Sequence, residues 1–168
     1  MRLLLITGLV IVASIHFTNA QFVQAPEQLS GLLPSELITF YNSLTPRQEK
    51  IMDQAVSGND GNEEGFLSYI RRKDKKLGQR AEHVFRDFID RLTKLKPDAQ
   101  IFYLALFNGL RQVDDSTDQE TLKKFTRALL YKWVGMKRSS RHSLAVHFPS
   151  VAHALNSQKV RDFAEFNI

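Results

Sequence analysis

The stretch 101–110, Ile-Phe-Tyr-Leu-Ala-Leu-Phe-Asn-Gly-Leu, constrains this chain more than any other. Eight of its ten residues are apolar and fall on every side of a helical wheel. A helix that is apolar all round needs cover, and ten residues are too few to cross a bilayer, which takes about 20. The stretch therefore predicts a central helix wrapped by others, which either fills a core or lines a hollow in one. Asn108 and Gly109 put an amide and a gap at its end.

The rest of the chain reads as cover for that helix. Met1 and Arg2 precede an apolar run over 3–15, and Thr18, Asn19 and Ala20 supply small residues before Gln21. This three-part pattern is that of a secretory signal peptide over 1–20, with a helical domain over 21–168. Removal of Arg2 leaves 22 Lys+Arg against 18 Asp+Glu, a net charge of +4. The chain has no cysteine, so packing alone must hold a secreted domain of this length. Thiol catalysis and Cys–zinc sites are excluded, and so are disulfide-stapled helical folds. No Asn-x-Ser/Thr sequon is present.

Apolar residues at helical spacing recur along the chain. Leu37, Phe40, Tyr41 and Leu44 mark a first helix over 34–43. Thr45-Pro46-Arg47-Gln48 is a capping box with proline at N1, and it opens a second helix carrying Ile51, Met52 and Ala55. The glycine-rich 57–61 segment ends that helix, and Asn62 caps a third with Phe66, Tyr69 and Ile70. After the basic run 71–76 comes the most regular stripe, Leu77, Ala81, Val84, Phe85, Phe88, Ile89, Leu92 and Leu95, in which Gly78 weakens the first turn. Pro97 starts the fifth helix, the opening stretch. A sixth, over 119–134 and closed by Gly135, carries Leu122, Phe125, Leu129, Trp133 and Met136. Ser139 or Ser140 caps a short helix ending at Phe148-Pro149, another turn or two runs to Asn156, and the tail has a weak helical pattern. No stretch alternates with period two. The expectation is an all-α, single multi-helix domain of seven to nine helices.

Chemistry-bearing motifs are sparse. There is no phosphate-binding glycine loop and no Gly-x-Ser-x-Gly elbow, so no enzyme is expected and no cofactor. His142, His147 and His153 are spaced five and six apart, on different helical faces, and His83 with Asp87 reads as a weak surface pair; no metal is expected. The basic residues Arg71, Arg72, Lys73, Lys75 and Lys76, and a second run over 137–142, fit a solvated turn or transient contact with anionic membranes; a secreted chain argues against nucleic acid. Phe66, Phe85, Phe88, Phe102, Phe125 and Trp133 are all expected to point inward, into either a plain core or a ligand cavity.

The segment 32–46, Leu-Leu-Pro-Ser-Glu-Leu-Ile-Thr-Phe-Tyr-Asn-Ser-Leu-Thr-Pro, resembles the opening helix of the nematode fatty-acid- and retinol-binding proteins. So do Leu95-Lys96-Pro97-Asp98-Ala99 and Phe148-Pro149-Ser150-Val151, in the same order and at similar spacing. The chain departs where Thr45 is followed at +3 by Gln48 rather than by an acidic residue, and its 71–76 run is heavily basic. The resemblance implies a secreted all-α carrier of fatty acids and retinol, its helices enclosing an apolar cavity; a monomer is expected. The fourth, fifth and sixth helices have the widest apolar faces. The expected wall is Phe66, Ile70, Phe85, Phe88, Ile89, Leu92, Phe102, Leu106, Leu110, Phe125, Leu129 and Trp133. Tyr103, Arg127, Tyr131 and Lys132 are candidates for the head group. The competing expectation is a secreted, solid-core helical interaction protein acting through its basic face.

Overall fold

The structure, a computed structural model, describes residues 29, 31–57, 63–110, 113 and 116–166. The expected signal peptide, residues 21–28, the Asn62 cap and residues 58–61 of the glycine-rich breaker lie outside these. Among the described residues there are nine α-helices and no strand: α1 (Ser35–Asn42), α2 (Pro46–Ser57), α3 (Glu63–Lys73), α4 (Lys75–Thr93), α5 (Pro97–Leu110), α6 (Gln119–Gly135), α7 (Arg138–His147), α8 (Pro149–Asn156) and α9 (Gln158–Phe163). None is long and apolar enough to cross a membrane. The chain divides into two compact units.

The first unit spans residues 36–93. Its helices start where the sequence supplies a cap. The Thr45 N–H donates to Gln48 Oε1 (3.2 Å) and the Gln48 N–H to Thr45 Oγ1 (3.4 Å), the reciprocal capping box that opens α2. Asp74 alone separates α3 from α4. Its carboxylate accepts from the Leu77 N–H (2.9 Å) and the Gln48 side-chain amide (3.0 Å), so one residue caps α4 and ties it to α2. The Leu77 backbone bond, followed by Gln48, holds the Asp74 carboxyl below the ordinary aspartate range. α4 consequently begins at Lys75, and Gly78, in its first turn, is buried. A Cβ on Gly78 would sit 2.7 Å from Arg71 Cα, so α3 and α4 cross backbone to backbone at that point. Phe85 is the ring hub, with centroids 6.0 Å from Phe40 and 5.7 Å from Phe66.

The second unit holds residues 94–166 with the segment before Glu36. Pro97 opens α5, and the Lys96 N–H ahead of it donates to Ser143 Oγ of α7 (3.1 Å). Joints are short here too. Phe148 alone separates α7 from α8, and Ser157 alone separates α8 from α9, its Oγ accepting from the Val160 N–H (3.3 Å). α7 starts at Arg138, with Lys137 at the N-cap, because Met136 ends α6 in extended backbone and leaves one residue for the turn. Ser139 and Ser140 therefore lie inside the helix rather than capping it, and Ser140 and Ser143 are buried there.

α5 departs from the expectation of all-round cover. Phe102, Tyr103, Leu106 and Phe107 are buried, but Ile101 is 68% exposed, Leu104 and Ala105 are half-buried and Asn108 is exposed. These four form one outward stripe at i, i+3, i+4, i+7. A helix is satisfied by packing through part of its circumference, and single apolar residues are tolerated in water. Gly109 does not leave a gap: a Cβ there would fall 2.0 Å from Phe125 Cε2, because the Phe125 ring lies directly on the glycine backbone. That position leaves Phe125 half-buried instead of fully inward.

Candidate ligand-binding site

The aromatic and aliphatic residues expected to form a wall divide between the units. In the first, Phe66, Ile70, Phe85, Phe88 and Leu92 are buried and Ile89 is half-buried. In the second, Phe102, Leu106, Leu129 and Trp133 are buried, while Leu110 and Phe125 are half-buried. Phe102 and Trp133 are in ring contact at 5.9 Å, and the Trp133 indole N–H donates to Asn156 Oδ1 (3.0 Å). Asn156 is anchored in turn by its amide, which donates to the Ala152 carbonyl (2.8 Å). Arg141 lies over the Trp133 ring, 6.0 Å from its centroid.

The four polar candidates occupy different environments. Tyr103 is fully buried, its ring 4.3 Å from Phe148 and 5.1 Å from Phe107, centroid to centroid. Lys132 is exposed. Arg127 and Tyr131 meet the chain's own tail. The Arg127 Nε donates to the Ala164 carbonyl (2.9 Å), its Nη2 lies 3.5 Å from Glu165 Oε2, and Tyr131 packs edge-on against Phe166 at 4.9 Å. Lys123, one turn before Arg127, is ion-paired with Glu165. That bond and charge, with a smaller contribution from Arg127, hold the Glu165 carboxyl below its usual range. Lys123, Glu165 and Asn156 were not anticipated from the sequence. The four-residue spacing of Lys123, Arg127 and Tyr131 was the available signal, and its partner three residues from the chain end carries no motif.

The basic residues Arg71, Arg72 and Lys73 form the last turn of α3, where positive charge suits the helix dipole, and Lys75 and Lys76 open α4. All five are exposed; Arg71 pairs with Glu82, and Lys73 lies over the Tyr69 ring at 5.7 Å. On the opposite, polar face of α4 an open hollow of about 630 Å³ is lined by Gln79, Glu82, His83, Arg86, Asp87 and Asp90. Charged walls of this kind suit water rather than an apolar chain.

Among the described residues, no group of three or more His, Asp and Glu is placed to hold a metal ion. Several serines and threonines cap helices or bond helix carbonyls, as Thr126 does the Leu122 carbonyl (2.8 Å). Fold and side chains together define an all-helical protein with an aromatic-rich interior and a polar complement devoted to caps and ion pairs. The chain belongs to the nematode fatty acid retinoid binding protein (Gp-FAR-1) family, whose sequence pattern matches residues 27–165. It is similar to fatty-acid and retinol-binding protein 1 of Brugia malayi, with 29% identity over 143 residues, 81% of this chain and 80% of that protein. The protein of the same name from Onchocerca volvulus is 27% identical over 146 residues, 83% of this chain and 82% of that one. In three dimensions the chain is similar to the fatty acid and retinol binding protein Na-FAR-1 from Necator americanus. The TM-score is 0.66 at 17% identity, covering 86% of this chain and 97% of that one.

Proposed function

We propose that this protein is a secreted, non-enzymatic carrier that binds fatty acids and retinol in an apolar interior cavity and transports them as a monomer. Residues 1–20 act as a signal peptide, and 21–168 form the mature lipid-binding domain. The observation that carries this reading is membership of the fatty acid retinoid binding family across residues 27–165, together with the ligands named for its relatives in Brugia and Onchocerca. The aromatic interior is chemically suited to the task. Burying a methylene is worth about 0.8 kcal/mol, so a C16 chain offers about 12 kcal/mol before costs. Immobilising the ligand returns several kcal/mol of that, and a micromolar Kd needs only about 8 kcal/mol to remain. The wall residues are those above. The exposed basic residues around Asp74 contact anionic membranes transiently during loading and release.

The direct test is organic extraction of the purified protein with mass spectrometry of the extract, joined to displacement of a fluorescent fatty acid by oleate and by retinol. Co-purified lipid and displacement are expected. A clean extract without displacement would support the rival reading, a solid-core interaction protein, which the exposed basic face at Arg71, Arg72, Lys73, Lys75 and Lys76 favours. Charge reversal of Arg71, Arg72 and Lys73 is expected to slow transfer to anionic vesicles, and an unchanged rate would remove the membrane step.

A further inference from the structure

The tail leaves α9 through a left-handed turn. Glu165 has φ 53°, the one positive φ on a non-glycine residue among the described residues. Two bonds close the turn, from the Phe166 N–H to the Arg161 carbonyl (2.9 Å) and from the Glu165 N–H to the Asp162 carbonyl (3.1 Å). This is the Schellman pattern, in which glycine is the usual occupant of the left-handed position. A side chain there strains the backbone, because its Cβ crowds the following carbonyl oxygen. Here that side chain is a carboxylate, and the turn delivers it to Lys123 and Arg127.

Those two cations are spaced i, i+4 on α6, so they share a face. Their side chains are only 23% and 33% exposed. Two like charges brought together and partly stripped of water repel each other unless an anion lies between them. The anion present is Glu165, itself 59% exposed. Tyr131 continues the same row, and its ring, 59% exposed, is partly covered by Phe166. The row thus reads as a carboxylate receptor followed by an apolar shelf, and the tail covers it with a carboxylate followed by an apolar ring.

We propose that Lys123 and Arg127 form the head-group site for the carboxylate of a long-chain fatty acid, with Glu165 as an internal stand-in that the ligand displaces. This inference rests on the carrier reading and assigns the head group within it. The exchange breaks no covalent bond: one carboxylate replaces another between the same two cations, and the first methylenes of the ligand take the place of Phe166 along Tyr131. A lipid ending in a hydroxyl offers no such exchange.

The experiment compares oleate, oleyl alcohol and retinol as displacers of one fluorescent probe on the mature chain. Glu165→Gln removes the internal competitor and is expected to tighten oleate three- to tenfold while leaving oleyl alcohol and retinol unchanged; tenfold corresponds to about 1.4 kcal/mol. The double substitution Lys123→Gln, Arg127→Gln is expected to bring oleate down to the affinity of oleyl alcohol. Glu165 is a surface residue, and an unchanged circular dichroism spectrum checks that the helices persist. Unchanged oleate affinity in Glu165→Gln overturns the proposal, as does equal tightening of all three ligands, which would make the tail a simple cover. Wild-type protein that binds none of the three would instead sink the carrier reading itself.

Discussion

Gly78 is where a single methyl group tests the packing of α3 against α4. A Cβ at this position would lie 2.7 Å from Arg71 Cα, 2.9 Å from Arg71 Cβ and 3.0 Å from Arg71 N. All three atoms belong to the main chain or its first branch, so no rotamer change relieves the clash and the helices must separate. Helix propensity pulls the other way, since alanine is favoured over glycine by about 1 kcal/mol in a helix interior. Overpacking costs about 1–3 kcal/mol, and a backbone obstacle belongs in the upper half of that range. Gly78→Ala should therefore destabilise by about 1–2 kcal/mol, which at about 2–4 °C per kcal/mol lowers Tm by about 2–8 °C. Gly135→Ala is the control: it sits at the end of α6 with no atom within 4 Å of the new methyl, so it should leave stability unchanged or raise it slightly. Urea titration and thermal melts followed by circular dichroism measure both. A Gly78→Ala protein as stable as wild type would refute the backbone-to-backbone crossing.

Other outcomes follow from the caps and the buried indole. Asp118 caps α6 by accepting from the Thr121 N–H (2.9 Å) and hydroxyl (2.7 Å), so Asp118→Ala should lower stability near neutral pH in denaturant titrations. The Thr121 side-chain bond, then its backbone bond, lower the Asp118 carboxyl from the ordinary aspartate range. The unfolded chain therefore takes up this proton first as pH falls. Its stabilisation is complete above that range and fades below it, so the gap between wild type and Asp118→Ala should narrow in acid. Gln48→Ala removes both the Thr45 and Asp74 bonds and should destabilise more than Thr45→Ala, by a margin of about 0.5–1 kcal/mol in the same titrations. Asn156→Ala strips the Trp133 indole N–H of its acceptor, at a cost of about 1–3 kcal/mol, and should shift the emission of this sole tryptophan. Leu106→Trp should abolish oleate binding with little loss of stability if the ligand occupies that region, whereas a solid core should lose about 1–3 kcal/mol.

Helix positions were legible because one-dimensional signals fix them. The Thr45–Gln48 capping box, Pro97 and the Phe148-Pro149 pair each end or start a helix where the sequence places it. Stripes such as Leu77, Ala81, Phe85, Phe88 and Leu92 were legible because spacing alone determines which residues share a face. Three-dimensional coincidences were not. Whether Gly109 meets empty space or the Phe125 ring depends on how α5 and α6 cross, which no local pattern encodes. The exposure of Ile101 has the same origin, since composition reports how apolar a helix is but not how many neighbours reach it. The pairing of Lys123 with Glu165 spans 42 residues, and α9, which brings it about, is only six residues long and weakly patterned.

The single-residue joints at Asp74, Phe148 and Ser157 make the count of residues between helices as informative as their identities. A helix turns about 100° per residue. One residue inserted after Asp74 would rotate the whole α4 stripe relative to its cap, sending the Phe85 and Phe88 positions toward solvent. Chains of this design can drift widely in side chains yet tolerate length changes only outside those joints. Evolutionary insertions should collect elsewhere, and segments exchanged between such chains should work when the cuts fall within helices in register and fail when they alter a joint by one residue.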